Sequence, residues 1–238
     1  MSINKHAALR ILILSIAIPL LSSSTAVTAQ NAQLNGTVSL PPTKVKKKRV
    51  FRGSEYRSRL STSKGPTKQT APTRRSRFDD VVVSLHPLSF KADLEPQGEP
   101  PRLDQRDVTF APRVLPFVVG SDVEFVNNDK VYHNVLSLTP GADFDIGRKP
   151  TGEVATEKIE MVGKIELFCD IHPQMNATLL SLDTPFFTRP DSAGGFAIEE
   201  LPAGRYEVRV FHPDYDGVAG ELTLGAGDAV TRHFAVVD

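Results

Sequence analysis

Cysteine is almost absent from this sequence: Cys169 is the only one among 238 residues. A disulfide within the chain is therefore excluded, and Cys169 is either a buried free thiol or a residue with a chemical role. Long apolar runs are lacking as well. Residues 11–21 form an apolar stretch that is too short to cross a bilayer and is broken by Ser15 and Pro19.

That short apolar stretch belongs to a predicted secretory signal peptide at residues 1–29. Lys5 and Arg10 form its basic start, and Val27-Thr28-Ala29 is a cleavage site of small residues. A retained membrane anchor is the alternative interpretation. We expect the signal to be removed and the mature chain to be exported and not transmembrane.

Charge is distributed unevenly, although the whole chain has no net charge. Residues 44–77 carry a net charge of +12, whereas residues 78–238 carry −14. The basic stretch has few apolar residues, so we predict a disordered insertion at residues 41–78. It is either a solvated linker or, through residues 44–77, an electrostatic contact with the anionic cell envelope. Nucleic acid is not an expected partner, because no aromatic platform accompanies the charge.

Helical periodicity is also lacking after the signal, and short alternating strands take its place. Ile165, Leu167 and Cys169 would share one face of a strand, with Lys164 and Glu166 on the other face. This alternation points the thiol inward. Several such strands at regular spacing predict an all-β fold, either a sandwich or a barrel.

Two short motifs carry the residues with distinctive chemistry. Residues 168–175 read F-C-D-I-H-P-Q-M, which places Cys169, His172 and Met175 at C-x2-H-x2-M spacing, and His133 lies upstream in Y-H-N-V. One thiolate, two imidazoles and one thioether are the ligands of a mononuclear blue-copper site. The motifs therefore predict one copper ion.

Other uses of these residues explain the pattern less well. Zinc does not select a thioether. A Cys-His nucleophile pair is an alternative, but it gives Met175 no role, and no oxyanion hole is recognisable. A binuclear copper centre needs two thiolates and is excluded. The other histidines of the mature chain, His86, His212 and His233, lie in strand-like stretches and are interpreted as surface or core residues.

The two motifs resemble the cupredoxins, the family of plastocyanin, pseudoazurin and amicyanin. In that family one histidine at a strand end is followed by asparagine, and one loop supplies Cys, His and Met. The resemblance implies a Greek-key β-sandwich at residues 100–184 that binds one type 1 copper ion through His133, Cys169, His172 and Met175. The short spacing between the last two ligands is most similar to amicyanin.

The resemblance also implies neighbours for the site and a function. Asn134 would hydrogen-bond between the two ligand loops, and Phe168 would belong to the shell around the sulfur. The ring edge of His172 would be the electron port. The implied function is periplasmic one-electron transfer, not catalysis, to a redox protein such as a cytochrome c or an oxidoreductase. The alternative is an envelope-associated copper-binding protein without a primary redox role.

Residues 185–238 resemble a different module, the carboxypeptidase regulatory-like (transthyretin-like) β-sandwich, on the basis of the D-S-A-G-G-F and L-P-A-G turns. Such modules begin with strands that here resemble residues 33–40 and 79–90, which lie before the copper domain. The module is therefore discontinuous, with the copper domain inserted into it, or residues 81–85 form the first strand of the copper domain. The whole chain is similar to methylamine-utilisation-like periplasmic cupredoxin proteins.

Overall fold

The structure, a computed structural model, describes residues 31–42, 75–96 and 98–237. Within these residues every regular element is a β-strand, and the strands form four sheets. The predicted all-β fold is confirmed. The predicted signal peptide and most of the basic insertion lie outside the described residues. No helix in the described ranges is long and apolar enough to span a membrane.

The strands are numbered in chain order and belong to two sandwiches. They are β1 (Ala32–Ser39), β2 (Val82–Pro87), β3 (Arg102–Arg106), β4 (Thr109–Ala111), β5 (Val114–Val118), β6 (Asp122–Asn127), β7 (Leu136–Thr139), β8 (Ala142–Asp145), β9 (Val154–Lys158), β10 (Gly163–Phe168), β11 (Asn176–Leu182), β12 (Phe187–Thr188), β13 (Gly195–Leu201), β14 (Gly204–Phe211), β15 (Val218–Leu224) and β16 (Ala229–Ala235).

The central sandwich, as we name it, consists of β3 to β11. One sheet has the order β5-β11-β10-β7-β8 and the other β4-β3-β6-β9. Between β4 and β10 the chain crosses five times from one sheet to the other, so sheet neighbours are often distant in sequence. The β3–β6 and β5–β11 pairs are parallel for this reason.

Strand β10 shows how the core of the central sandwich is built. Ile165 and Leu167 are fully buried, whereas Lys164 and Glu166 on the other face are exposed. Burying each large aliphatic side chain contributes about 1.5–3 kcal/mol. Cys169 follows β10 in the same alternation and joins the same core cluster. The pattern that packs the core therefore also holds the thiol inside, as predicted from the sequence.

The flanking sandwich consists of β1, β2 and β12 to β16. Its sheets have the orders β13-β1-β16 and β12-β2-β14-β15. Leu34 from β1, Leu85 from β2 and Tyr206 from β14 share one core in which each is fully buried. Strand β2 pairs with β12 and β14, and not with a strand of the central sandwich. The domain boundaries drawn from the sequence stay a prediction.

Strand β2 is buried on both of its faces. Val83 and Leu85 point into the core of the flanking sandwich, whereas Val82 packs with Leu180 and Leu182 of the central sandwich. A strand covered on both sides reads as a nearly continuous apolar run, which explains the V-V-V-S-L sequence here. The outer face of β2 is therefore the contact surface between the two sandwiches.

An ion cluster extends this contact. Arg113, in the turn between β4 and β5, donates to Asp214 from both terminal nitrogens at 2.8 Å and to Asp80 at 3.1 Å. Asp80 precedes β2 and Asp214 follows β14. A guanidinium that binds a carboxylate through two parallel hydrogen bonds restricts orientation as well as distance. The cluster thus fixes how the two sandwiches face each other.

Because of two buried histidines, His86 and His212, we expect the folded chain to be less stable in mild acid than at neutral pH. Burial lowers the pKa of both His86 and His212 below the usual 6.5, although nearby carboxylates oppose this shift. The backbone N–H of Asp214 also donates to Nδ1 of His212, which requires the neutral ring. The contribution of the two neutral histidines to the free energy of unfolding is complete above about pH 6.5. It is lost as the pH falls through their lowered pKa values, because the unfolded chain then binds more protons than the folded chain.

We therefore expect the midpoint of urea unfolding to decrease when the pH is lowered from about 7.5 to about 5.5. His212→Gln keeps a hydrogen-bond acceptor but cannot take up a proton, so the decrease should be smaller in this variant. Equal pH dependence in the two proteins would show that His212 does not contribute.

Candidate metal centre

Three of the predicted ligands meet at one end of the central sandwich. His133 lies between β6 and β7, while Cys169 and His172 lie between β10 and β11. The Nδ1 atoms of the two imidazoles are 3.0 Å apart, and Cys169 Sγ lies 3.8 Å from Nδ1 of His172. The three ligand atoms all lie within 4.8 Å of one another. His133 thus meets two residues that lie 36 and 39 positions later in the chain.

His133 is fully buried and is held on two sides. Its backbone forms an isolated bridge with Lys149, with hydrogen bonds in both directions. Its Nε2 lies 2.7 Å from a carboxylate oxygen of Asp129. A neutral imidazole has a single N–H, so donation from Nε2 to Asp129 leaves the Nδ1 lone pair directed at the other ligands. A carboxylate behind a ligating histidine is a frequent feature of metal sites.

Asp129 is in turn fixed by the turn between β3 and β4. It accepts hydrogen bonds from the backbone N–H groups of Asp107 and Val108 at 2.7 and 2.8 Å. Both of these residues have positive φ angles, which is unfavourable for the β-branched Val108. This backbone conformation directs both N–H groups at the carboxylate of Asp129. Burial raises the pKa of Asp129, but these bonds and the one with His133 outweigh it and give a net lowered pKa.

Asn134 is buried, and it links the two ligand loops through its backbone. Its N–H lies 3.5 Å from Cys169 Sγ, within hydrogen-bond distance of a sulfur acceptor. The side-chain oxygen of Asn134 has no hydrogen-bond partner among the described residues. A backbone N–H directed at the sulfur restricts where Sγ can lie relative to the loop that carries His133.

Met175 and Phe168 occupy different surroundings. Met175 is 1% exposed and belongs to the same core cluster as Cys169, and its N–H donates to the carbonyl of His172, which closes the ligand loop. Phe168 is 40% exposed and lines a surface groove with Leu138. Phe168 directly precedes Cys169 at the end of β10, so the two side chains point to opposite faces. Phe168 therefore lies on the outer face, away from the predicted ligands.

His172 is the predicted ligand nearest to solvent. It is half-buried, whereas His133 and Cys169 are buried. The two imidazole rings stand at 62° with their centroids 4.7 Å apart. An ion held by both rings would therefore lie beneath the surface, with one ring between it and solvent.

The donor atoms and their spacing fit a single soft metal ion. With metal–nitrogen bonds of about 2.1 Å and metal–sulfur bonds of about 2.3 Å, two nitrogens on one ion lie within about 4.2 Å, and a nitrogen and a sulfur within about 4.4 Å. The observed 3.0 and 3.8 Å satisfy these limits for the two pairs that include His172, and the remaining pair, from His133 to Cys169, lies within 4.8 Å. Thiolate and thioether donors select copper among the common ions, and imidazole serves both of its oxidation states.

The chain is similar to several copper proteins of known structure. No protein-family model and no curated protein matches the chain. A novel purple cupredoxin from Nitrosopumilus maritimus is 21% identical, with 34% of this chain and 99% of that chain covered and a TM-score of 0.32. The copper-containing nitrite reductase (NirK) from Thermus scotoductus SA-01 is 23% identical over 41% of this chain and 25% of that chain, with a TM-score of 0.34.

A reduced Cu(I) form of an amicyanin mutant is also similar, at 15% identity over 42% of this chain and 98% of that chain, with a TM-score of 0.34. These similarities involve less than half of this chain. At these TM-scores the similarity assigns no function to this chain.

Proposed function

We propose that the protein is a periplasmic type 1 copper protein whose copper site transfers single electrons and does not itself catalyse a reaction. The observation that carries the proposal is the convergence of the two imidazole Nδ1 atoms and the single thiol within 4.8 Å. The ligands we assign are His133, Cys169, His172 and Met175. A bound copper ion would supply a one-electron couple between Cu(I) and Cu(II).

The residues of the chain divide the supporting roles. Asp129 holds the ring of His133 in one tautomer, and the N–H of Asn134 hydrogen-bonds to the sulfur of Cys169. The three ligands from one short loop cannot separate far, because the loop is closed by the Met175-to-His172 backbone bond. A preorganised set of this kind limits structural change between oxidation states, which favours fast electron transfer.

The proposed route for electrons is through the half-buried ring of His172. Tyr132, directly before His133 in sequence, is 59% exposed, and Val131 is 46% exposed. Exposed apolar side chains beside a half-buried ligand suit a short-lived contact with a redox partner. Residues 78–238 carry a net charge of −14. A basic partner such as a cytochrome c is therefore favoured, because opposite charges accelerate encounter.

Electrochemistry of the copper-loaded protein tests this function. Reversible one-electron reduction together with fast electron self-exchange is the expected result. The competing function is that of an envelope-associated copper-binding protein. Tight copper retention without redox exchange would support it, as would sedimentation on anionic envelope material that is lost when residues 44–77 are deleted.

Asp129→Asn is expected to weaken copper binding by about 10–100-fold. The neutral amide is a weaker acceptor than the carboxylate for the hydrogen bond from Nε2 of His133, so the ring loses its fixed orientation. A copper competition titration with a chelator measures the change. Asp143→Asn on the exposed face of β8 is the matched control and should bind copper like the unmodified protein. Equal affinities for the two variants would contradict the assigned role.

A further inference from the structure

A second candidate site lies between the two sandwiches, away from the copper ligands. A cavity of about 280 Å³ opens there, close to the lower limit of small-molecule pockets. Its walls are largely apolar, with Leu180 and Leu182 on the central side and Val210, Phe211 and Val218 on the flanking side. Ligand pockets are frequent at such domain interfaces, where apolar walls surround a few polar groups.

Three polar side chains of this cavity form a continuous relay. Ser84 Oγ lies 3.0 Å from Nε2 of His86, and Nδ1 of His86 lies 2.5 Å from Oδ1 of Asp183. Ser84 and His86 are two positions apart on β2, so their side chains share its outer face. Asp183 follows β11 and belongs to the central sandwich. The relay therefore exists only because the two sandwiches meet.

The atoms of the relay are arranged as in acyl-transfer sites. A serine hydroxyl faces one ring nitrogen of a histidine, and a carboxylate faces the other and fixes the tautomer. With Nδ1–H donated to Asp183, Nε2 of His86 is the acceptor for the serine proton. Roles of this kind are recognised from geometry and not from sequence order, since the same arrangement occurs on unrelated folds.

The protonation state of His86 suits a general base. Burial is the largest influence and lowers its pKa below the usual 6.5, and Arg209 adds to this. Asp183 and Glu207 oppose the shift without reversing it. The ring is therefore neutral at neutral pH and able to accept a proton.

We propose that Ser84 is a nucleophile that accepts acyl groups from small, largely apolar esters bound in this cavity. Its Oγ forms a bond to the ester carbonyl carbon while its proton moves to Nε2 of His86. The bond from that carbon to the alkoxy oxygen then breaks, and the proton passes from Nε2 to the departing alcohol. Water then attacks the acyl carbon while one of its protons moves to the same Nε2. The bond from that carbon to Oγ breaks, the proton passes from Nε2 to Oγ, and the carboxylic acid leaves.

Ser181 also borders the cavity, but it alternates with Leu180 and Leu182 along β11, so its side chain lies on the opposite face of the strand. Its buried hydroxyl therefore has no role in the proposed site. The proposal is independent of copper binding.

Labelling of the full chain with a fluorophosphonate, mapped by mass spectrometry, tests the proposal. Covalent modification at Ser84 is expected, together with slow turnover of p-nitrophenyl butyrate. Ser84→Ala should remove both signals, and Asp183→Asn should lower the labelling rate by about 10²–10⁴-fold. Asp183 has a 48% exposed side chain, so its substitution does not threaten folding.

Ser137→Ala, at a buried serine of β7 in the central sandwich, is the matched control and should label normally. Urea unfolding confirms that each variant is folded. Absence of label at Ser84 in the folded, unmodified protein would overturn the proposal. Equal labelling of the unmodified protein and Asp183→Asn would also overturn it, because the relay would then have no effect on the serine.

Discussion

Replacing Cys169 by alanine is expected to abolish the intense visible absorption of the copper-loaded protein and the narrow hyperfine splitting of its EPR spectrum. Both signals require a covalent copper–thiolate bond, and Cys169 is the only thiol in the chain. The side chain is 4% exposed and small, so the alanine variant should remain folded. Visible absorption and EPR spectra of the two proteins, loaded with equal copper, measure the effect.

Two methionines provide the matched comparison for this experiment. Met175 is buried beside the ligands, whereas Met161 packs against the periphery of the same core. Met175→Leu should shift the spectrum and the reduction potential, because an axial thioether tunes both, while Met161→Leu should change neither. A colourless unmodified protein that takes up no copper would contradict the metal assignment. A visible band that persists without Cys169 would contradict the role of the thiol.

Leu34→Ala is expected to lower the free energy of unfolding by about 2–5 kcal/mol. Leu34 is fully buried in the core of the flanking sandwich, and its strand β1 lies between β13 and β16. The substitution leaves a cavity that the neighbouring strands cannot close without breaking their pairing. Urea unfolding followed by circular dichroism gives the change from the midpoint and slope.

Leu138→Ala is the control for that experiment, because Leu138 is 76% exposed. A surface substitution of this kind changes stability by less than about 0.5 kcal/mol. Similar losses for the two variants would contradict the position of β1 inside the flanking sandwich. A loss confined to Leu34→Ala would show that residues before the basic segment stabilise the C-terminal part of the chain.

The all-β fold and the convergence of three of the predicted ligands were predictable from the sequence, for physical reasons. Alternation with a period of two determines which side chains of β10 are buried, and Cys169 continues that alternation. Cys169 and His172 are only three positions apart in one loop, so their side chains were expected to lie close together. That His133 joins these two residues was expected only from the family resemblance, since His133 lies 36 positions before Cys169.

The supporting residues were not predictable in this way. Asp129 meets His133 because the loop after β6 curves back, and a carboxylate four positions before a loop histidine has no periodic signal. The relay of Ser84, His86 and Asp183 joins two sandwiches, so it depends on how they pack and not on local pattern. His86 was interpreted from the sequence as a surface or core residue, and burial alone gave no reason to assign it chemistry.

The pairing of the first strand with the last, among the described residues, imposes an order on folding. Thr37 in β1 pairs with His233 in β16, 196 residues later in the chain. Closing so large a loop is slow, and the flanking sandwich cannot be completed until nearly the whole chain has been synthesised. The central sandwich has all of its strands between residues 102 and 182. It is free to fold earlier, so the ligands assemble while the sandwich beside them still lacks its final strand.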